Sequence, residues 1–403
     1  MPSRDRFAPH LTRFADMVDD AFRRHGADGL PLRFRNAVAA TPRHRFVHRF
    51  RIADGPLRDF DADPDHNLPA VYSDEVMRHV DAKGELLPSS NSQPSYVLWL
   101  LHLLGLEPGH AVLEIGSGSG WLAAIMARLV GPDGRVSGIE LIADLAEQSR
   151  KDLAALNIGN VEIIAGDGTR GHPAGAPYDR AIITAATWDV PTALFDQVAD
   201  GGCILMPIEL RSGDGCDVTV LRRQGAVLVA ERAVPGWFVP LLGAGQQRGG
   251  VRSVDELPFW KGIGAAPAVR YDLPLGAASQ GGVTPVAAQF RAFLGRTEPG
   301  LVTHMPSFGL ADEAERSVAL WNDGQVTGFG NPSAARRLAQ AYLRWAEAGL
   351  PGVGAFRLEV HRAGAVPART DHAWMEQRGG TSLVWRLRTD SAGWRRCLAP
   401  EPP

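Results

Sequence analysis

The sequence predicts an α/β fold: a helix-covered, largely parallel sheet, preceded by an N-terminal helical segment and followed by a C-terminal α+β appendage. Three observations predict it. From Gln93 to about Gly243 short apolar runs alternate with amphipathic stretches, and such alternation implies parallel strands joined by right-handed crossovers. Inside that region, Ala111-Val-Leu-Glu-Ile-Gly-Ser-Gly-Ser-Gly-Trp121 sets a glycine-rich turn directly after an apolar strand. The chain has 403 residues, 45% of them hydrophobic and 22% charged, which is enough apolar material for a core and more length than one domain needs.

The elements follow in order. Residues 1–88 read as helix and loop: Phe14, Met17, Val18 and Phe22 recur at helical spacing before Gly26, a second short helix spans Arg33 to Ala40, and the Asp-, Gly- and Pro-rich stretch from Asp54 to Asn67 reads as loop. Residues 89–243 form the catalytic unit. Its expected strands are 111–115, 136–140, 161–165, 180–184 and 202–207; its helices are 96–104, 121–130, 145–156 and 192–198. Strands 217–222 and 226–234 have no helix between them and are expected to form an antiparallel hairpin at the sheet edge. Residues 244–403 begin with a Gly- and Gln-rich junction. They continue with a hairpin around Asn322-Asp-Gly-Gln325, a helix from Asn331-Pro-Ser333 to about Ala348, and strands near 356–361 and 382–387. The tail Ala399-Pro-Glu-Pro-Pro403 is expected to fray.

Charge and cysteine usage narrow the function classes. A net charge of −3 argues against a general nucleic-acid footprint. Cys203, Cys216 and Cys397 form neither a metal-ligand spacing nor a disulfide framework, so no metal is expected. Neither a secretory start nor an apolar run of about 20 residues is present. The expectation is a cytoplasmic protein without a membrane partner; oligomeric state is not legible.

The glycine turn suggests a nucleotide-like cofactor, because it lets backbone N–H groups approach a ligand. Its order, Glu114-Ile-Gly116-Ser117-Gly118-Ser-Gly120, departs from the dinucleotide glycine spacing and lacks the ending of a phosphate loop. Glu114 just before the turn would repel a diphosphate and favour a cation. Glu140 ends the next strand, placed to accept from a ribose diol, and Asp167, within Ala165-Gly-Asp-Gly168, ends the third, where it could take an adenine amino group. Carboxylates around a sulfonium-bearing nucleoside fit S-adenosylmethionine better than NAD; the alternative is that both are loop-start acids without a ligand. The implied cofactor set is Glu114, Gly116, Ser117, Gly118, Gly120, Glu140, Asp167 and Gly168, on a Rossmann-like sheet of the class I S-adenosylmethionine-dependent methyltransferases.

Further short motifs then fall in order: Pro42-Arg-His-Arg-Phe-Val47, Val71-Tyr-Ser-Asp74, Ser92-Gln-Pro94, Pro177-Tyr-Asp179, Thr184-Ala-Ala186, Gly201-Gly202 and Phe238-Val-Pro-Leu241. Together they resemble the protein-L-isoaspartate O-methyltransferase family over about residues 12–243. Departures include Asn91 where the family has Ile, Trp121 where Tyr is common, and Trp237 where some members carry a basic residue; the stretch Glu75 to Pro88 also differs. The extension after Gly243 is similar in kind to long bacterial members associated with peptide maturation.

The resemblance implies methyl-esterification of an L-isoaspartyl or aspartyl carboxylate in a protein or peptide, leading to succinimide formation. A carboxylate is already ionised at neutral pH, so no strong base is required; His44 is expected to be structural. The protein must align the acceptor oxygen with the methyl group and exclude water. The resemblance assigns that alignment to Ser92, with Gln93, Pro94, Thr184 and Ala185 beside the acceptor. Read from the residues alone, Ser92 is more readily a turn or N-cap serine before the Tyr96 helix. Two other readings stay open: a dedicated enzyme methylating an Asp of a ribosomally made peptide, and a cofactor-binding scaffold without turnover.

Overall fold

The computed structural model describes residues 7–213, 215–244, 252–264, 266–275, 285–365 and 373–388. Residues 245–250 of the expected junction, Cys397 and residues 399–403 of the tail lie outside them.

The N-terminal segment is not only helix and loop. Helices α1 (Ala8–Arg24) and α2 (Leu32–Ala40) are present, but β1 (Arg49–Ile52), β2 (Arg58–Asp59), β3 (Met77–Val80) and β4 (Leu86–Asn91) form a four-stranded sheet in the order β2-β1-β3-β4. Each strand is only two to six residues long, too short to show a period in the sequence. Their pairing is tertiary: Phe50 opposes His79, and Met77 opposes Asn91. The end of the stretch read as loop is the start of α3 (Pro64–Val71), begun by Pro64 and capped by Asp63, whose carboxylate accepts from the His66 N–H.

The central alternation is realised. In chain order it comprises α4 (Pro94–Leu104), β5 (Ala111–Ile115), α5 (Trp121–Val130), β6 (Arg135–Glu140), α6 (Ala143–Ala155), β7 (Val161–Ala165), β8 (Tyr178–Ile183), α7 (Leu194–Gln197), β9 (Val198–Glu209), β10 (Cys216–Gln224) and β11 (Val227–Gly236). The helix expected over 192–198 shrinks to the four residues of α7. Val198 instead pairs with Tyr178 in the parallel ladder, while the Gln197 side chain bonds the Arg170 carbonyl and the His172 N–H. Strands β7, β6, β5, β8 and β9 are parallel neighbours in that order. The chain leaves β5 toward β6 and later returns on the other side as β8. A crevice therefore opens at the carboxyl ends of β5 and β8, the switch point where ligands of such sheets bind.

The remaining elements are β12 (Arg252–Ser253), α8 (Trp260–Ile263), β13 (Pro267–Asp272), α9 (Pro285–Thr297), β14 (Leu301–His304), β15 (Ser307–Asp312), β16 (Ser317–Asn322), β17 (Gln325–Phe329), α10 (Ser333–Glu347), β18 (Phe356–Arg362), β19 (Ala373–Arg378) and β20 (Thr381–Leu387). The hairpin of β16 and β17 and the helix α10 fall where expected. Strands β12 to β17 form a separate six-stranded sheet.

Strands β18, β20 and β19 join the catalytic sheet, which reaches ten strands. Val227, Leu228 and Val229 of β11 pair with His361, Val360 and Glu359 of β18. The β10–β11 hairpin is thus interior, not at the edge. The physical reason is that β11 carries an unpaired row of backbone groups which a later apolar strand can satisfy, a partner more than 120 residues away that local pattern does not reveal. Apolar side chains pack both faces: α1, α2, α4 and α5 cover one, and α9, α10 and the second sheet cover the other.

Candidate active site

The loop after β5 crosses beneath the switch point with Gly116, Gly118 and Gly120 all at positive φ (88°, 54° and 82°), a conformation that disfavours side chains with a Cβ. Gly118 also lies under β3 and β4: a Cβ there would meet His79 Cε1 at 3.4 Å. The Gly118 N–H donates to Glu140 Oε2 at 2.8 Å and the Ile142 N–H to Oε1 at 2.9 Å. Glu140 is buried, which pushes its carboxyl upward while these N–H groups pull it back. A carboxylate offers about four acceptor positions, so each oxygen retains capacity for a diol.

Glu140 belongs to the wall of an open crevice lined also by Ile115, Ile139, Ile142, Gly166, Gly168, Thr184, Ala185 and Leu241. An apolar slot with one carboxylate at its side suits a nucleoside. A smaller adjoining cavity shares Gly116 and Thr184 with it and adds Ser92, Glu114, Ser117, Gly118 and Trp121. The structure thereby brings Ser92, Glu114, the loop, Glu140, Gly168, Thr184 and Ala185 to one continuous crevice.

Glu114 is 1% exposed, and its Oε2 has no hydrogen-bond partner among the described residues. Burial pushes its carboxyl up to about 8, opposed by a hydrogen bond from Ser117 and assisted by the nearby Glu140. An acid held protonated in the interior, with one oxygen unsatisfied and no cation beside it, fits a site that receives a positive charge. We expect S-adenosylmethionine binding at pH 7 to release a proton from Glu114, approaching one per site. Because the ionised form binds the cation, affinity should rise as pH climbs toward 8. Calorimetry in buffers of differing ionisation enthalpy reads the proton count, and Glu114→Gln should bring it close to zero. Binding without proton release from the native protein would contradict this assignment. In the empty protein the same group lowers stability progressively from about pH 4.5 to 8, since the unfolded chain loses that proton first.

Three expected residues are placed differently from the rest. Asp167 lines neither cavity. Burial raises its pKa, but the Ala244 N–H at 2.8 Å and both the hydroxyl and N–H of Thr169 outweigh it, holding the carboxyl below its ordinary value. Gln93 is exposed, with its amide on Asp74 at 2.8 Å, and Pro94 is buried as the first residue of α4. Neither reaches the crevice wall.

Ser92 itself is not the cap of α4. That role falls to Asp74, which accepts from the Ser95 N–H at 2.9 Å and the Ser95 hydroxyl at 2.6 Å. The Ser92 hydroxyl has no hydrogen-bond partner among the described residues and faces the smaller cavity. Its backbone is held from behind by Arg43, a residue only 1% exposed. Arg43 donates to the carbonyls of Val71, Ser73, Glu75 and Ser92 at 3.0 to 3.4 Å. Burial brings the guanidinium down to about 9, with Asp74 and Tyr72 opposing. Arg43 and Asp74 lie within quoted motifs, but nothing in their spacing announces that they buttress Ser92. His44 bonds the Tyr72 hydroxyl at 2.7 Å, a contact away from the crevice. The divergent Asn91 accepts from Ser119 at 2.6 Å and fastens β4 to the glycine loop.

Among the described residues no cluster of three His, Cys, Asp or Glu side chains could hold a metal, and no helix is long and apolar enough to cross a membrane.

A sequence model described as "Protein-L-isoaspartate(D-aspartate) O-methyltransferase (PCMT)" matches residues 60–246. A protein-L-isoaspartate O-methyltransferase of Ignicoccus hospitalis is 38% identical over 176 residues, 43% of this chain and 83% of that protein. One from Methanoregula boonei is 39% identical over 207 residues, 51% of this chain and 83% of that protein. This chain belongs to the protein-L-isoaspartate O-methyltransferase family. A solved structure named protein-L-isoaspartate O-methyltransferase superposes with a TM-score of 0.53 at 23% identity, covering 87% of this chain and 96% of the other. That overlap extends far past residue 246, so the fold of the long form recurs in a second protein. The family's cofactor is S-adenosylmethionine, in agreement with the carboxylate-lined crevice.

Proposed function

We propose that this protein esterifies the carboxylate of L-isoaspartyl residues in proteins or peptides, using S-adenosylmethionine. The observation that supports the reading is the Ser92 hydroxyl, without a hydrogen-bond partner among the described residues, on a backbone that Arg43 holds through the Ser92 carbonyl, at a cavity whose lining carries no lysine, arginine or histidine. When bound, the cofactor supplies an electrophilic methyl group. The acceptor carboxylate needs no deprotonation. Ser92 donates a hydrogen bond to it without fixing it in a salt bridge, Thr184 and Ala185 wall its far side, and Trp121 and Leu122 close the cavity floor. Methyl transfer breaks the S–CH₃ bond and forms an O–CH₃ bond; the carboxylate charge and the sulfonium charge vanish together, and no proton moves. The methyl ester is a better acyl donor than the carboxylate, so the neighbouring amide nitrogen, losing its proton, can attack the ester carbonyl and expel methanol to close a succinimide.

The acceptor is taken to be a damaged, cytoplasmic protein or peptide. Because the match in fold to the solved structure takes in 87% of this chain and 96% of that one, the extension does not by itself point to a dedicated maturation peptide. A synthetic isoaspartyl peptide incubated with methyl-labelled cofactor tests the reading: base-labile label on the isoaspartyl form and none on the aspartyl form is expected. Label confined to an Asp-containing peptide would instead favour the dedicated-peptide enzyme, and no label with tight cofactor binding would favour a scaffold.

A further inference from the structure

The segment joining β8 to α7, residues 184–193, begins at the acceptor pocket with Thr184 and Ala185. Its near end is tied to the cofactor side. Thr184 Oγ1 donates to the Gly116 carbonyl at 2.7 Å, and Ala186 exchanges backbone bonds with Val239 and Leu241, both at 2.7 Å. Val239 and Leu241 themselves line the crevice.

Its far end is tied to the turn between β19 and β20. Arg378, 1% exposed, donates to the Trp188 carbonyl at 2.6 Å and the Glu209 carbonyl at 2.9 Å, with its guanidinium 3.8 Å from the centre of the Trp188 ring. Asp189 accepts from the Gly380 N–H at 2.6 Å and from the Thr381 hydroxyl. Glu376, which pairs with Arg378 at 2.9 Å, also pairs with Arg211 at 2.9 Å just beyond β9. One turn further on, Arg362 of β18 reaches Asp196 at 2.6 Å and stacks on Phe195 at 5.0 Å.

Thr187 is bonded to Pro207 and Glu209 of β9, but without this turn the Trp188 carbonyl and the Asp189 carboxylate would be left to water and the loop beyond Thr187 would sample more conformations. Here Thr184, Ala186, Thr187, Trp188 and Asp189 are each bonded to a neighbouring element. We propose that the β19–β20 turn is a positioning device: Arg378 and Thr381 hold the 184–189 segment so that Thr184 and Ala185 stand at the distance from Ser92 which an in-line acceptor requires. The inference rests on the carboxyl-methyltransferase reading for what is positioned, but not for the latch. A displacement of about 1 Å at such a wall is enough to lower turnover by about 10²-fold.

The test uses the full chain with Thr381→Val, which removes the hydroxyl on Asp189 while keeping shape, Thr381→Ser, which keeps the hydroxyl, and Arg378→Ala. Thr381→Val and Arg378→Ala should lower kcat/KM for an isoaspartyl peptide by about 10- to 100-fold. The Kd of S-adenosylmethionine should stay within about twofold, a split that general destabilisation would not produce. Amide hydrogen exchange across residues 184–190 should accelerate in both, and Thr381→Ser should restore exchange and rate together. Unaltered exchange overturns the latch; accelerated exchange with native kcat/KM overturns the positioning role. Should Arg378→Ala fail to fold, the Thr381 pair decides. A native protein that leaves isoaspartyl peptide unmethylated refutes the proposed function, and the exchange comparison then still confirms or refutes the latch.

Discussion

Ser92→Ala should lower turnover of a saturating isoaspartyl peptide by about 10²-fold, the loss typical of removing one positioned donor from a reacting oxygen. Cofactor affinity should change less than about twofold, because among the described residues the hydroxyl makes no hydrogen bond to the cofactor side and none that holds the fold. Ser92 sits where β4 ends and α4 begins, but the helix start is secured by Asp74 and the backbone by Arg43. The substitution therefore removes a donor and leaves the frame. Single-turnover methylation separates the chemical step from peptide binding. A rate equal to that of the native protein would remove Ser92 from the reaction.

Glu140→Ala should weaken S-adenosylmethionine binding by about 10²- to 10³-fold, read by calorimetry, while turnover at saturating cofactor changes far less. Two charge-assisted hydrogen bonds to a ribose diol contribute about 1.5–3 kcal/mol each, and part of that is offset by the water which replaces the side chain. The substitution also frees the Gly118 and Ile142 N–H groups that the carboxylate holds at 2.8 and 2.9 Å, so the glycine loop loses its tie to β6. Glu140→Gln is not a mild control, since the amide would set a donor against one of those donors. An unchanged Kd would show that the diol is held elsewhere, with Asp167 the next carboxylate to try.

The cofactor half of the crevice was largely legible. Glu114, the glycines and Glu140 sit at strand ends, and strand ends follow from local apolar runs and the turns that stop them. The acceptor half was legible only through resemblance. Ser92 in isolation reads as a cap because small polar residues before Pro-started helices usually are caps; the residue that displaces it from that role, Asp74, lies 18 positions earlier. The misread N-terminal sheet has the same origin. Strands of two to six residues carry too few alternations to be distinguished from loop, and their stability comes from partners rather than from propensity.

What the sequence by itself determined is therefore the repeating part: the strand–helix alternation, the glycine turn, the carboxylates at the strand ends and the order of motifs that marks the family. These depend on neighbours within a few residues, whose spacing is set by the 2.0 and 3.6 periods of strand and helix. The tertiary structure decided what depends on distant partners. It burdens Arg43 with the loop behind Ser92, closes the free edge of β11 with β18, and sets Arg378 and Thr381 of the C-terminal strands against Trp188 and Asp189, a few residues beyond Thr184 and Ala185. A buried guanidinium or an open sheet edge must find its acceptors wherever the chain can bring them, and no local pattern records where that is.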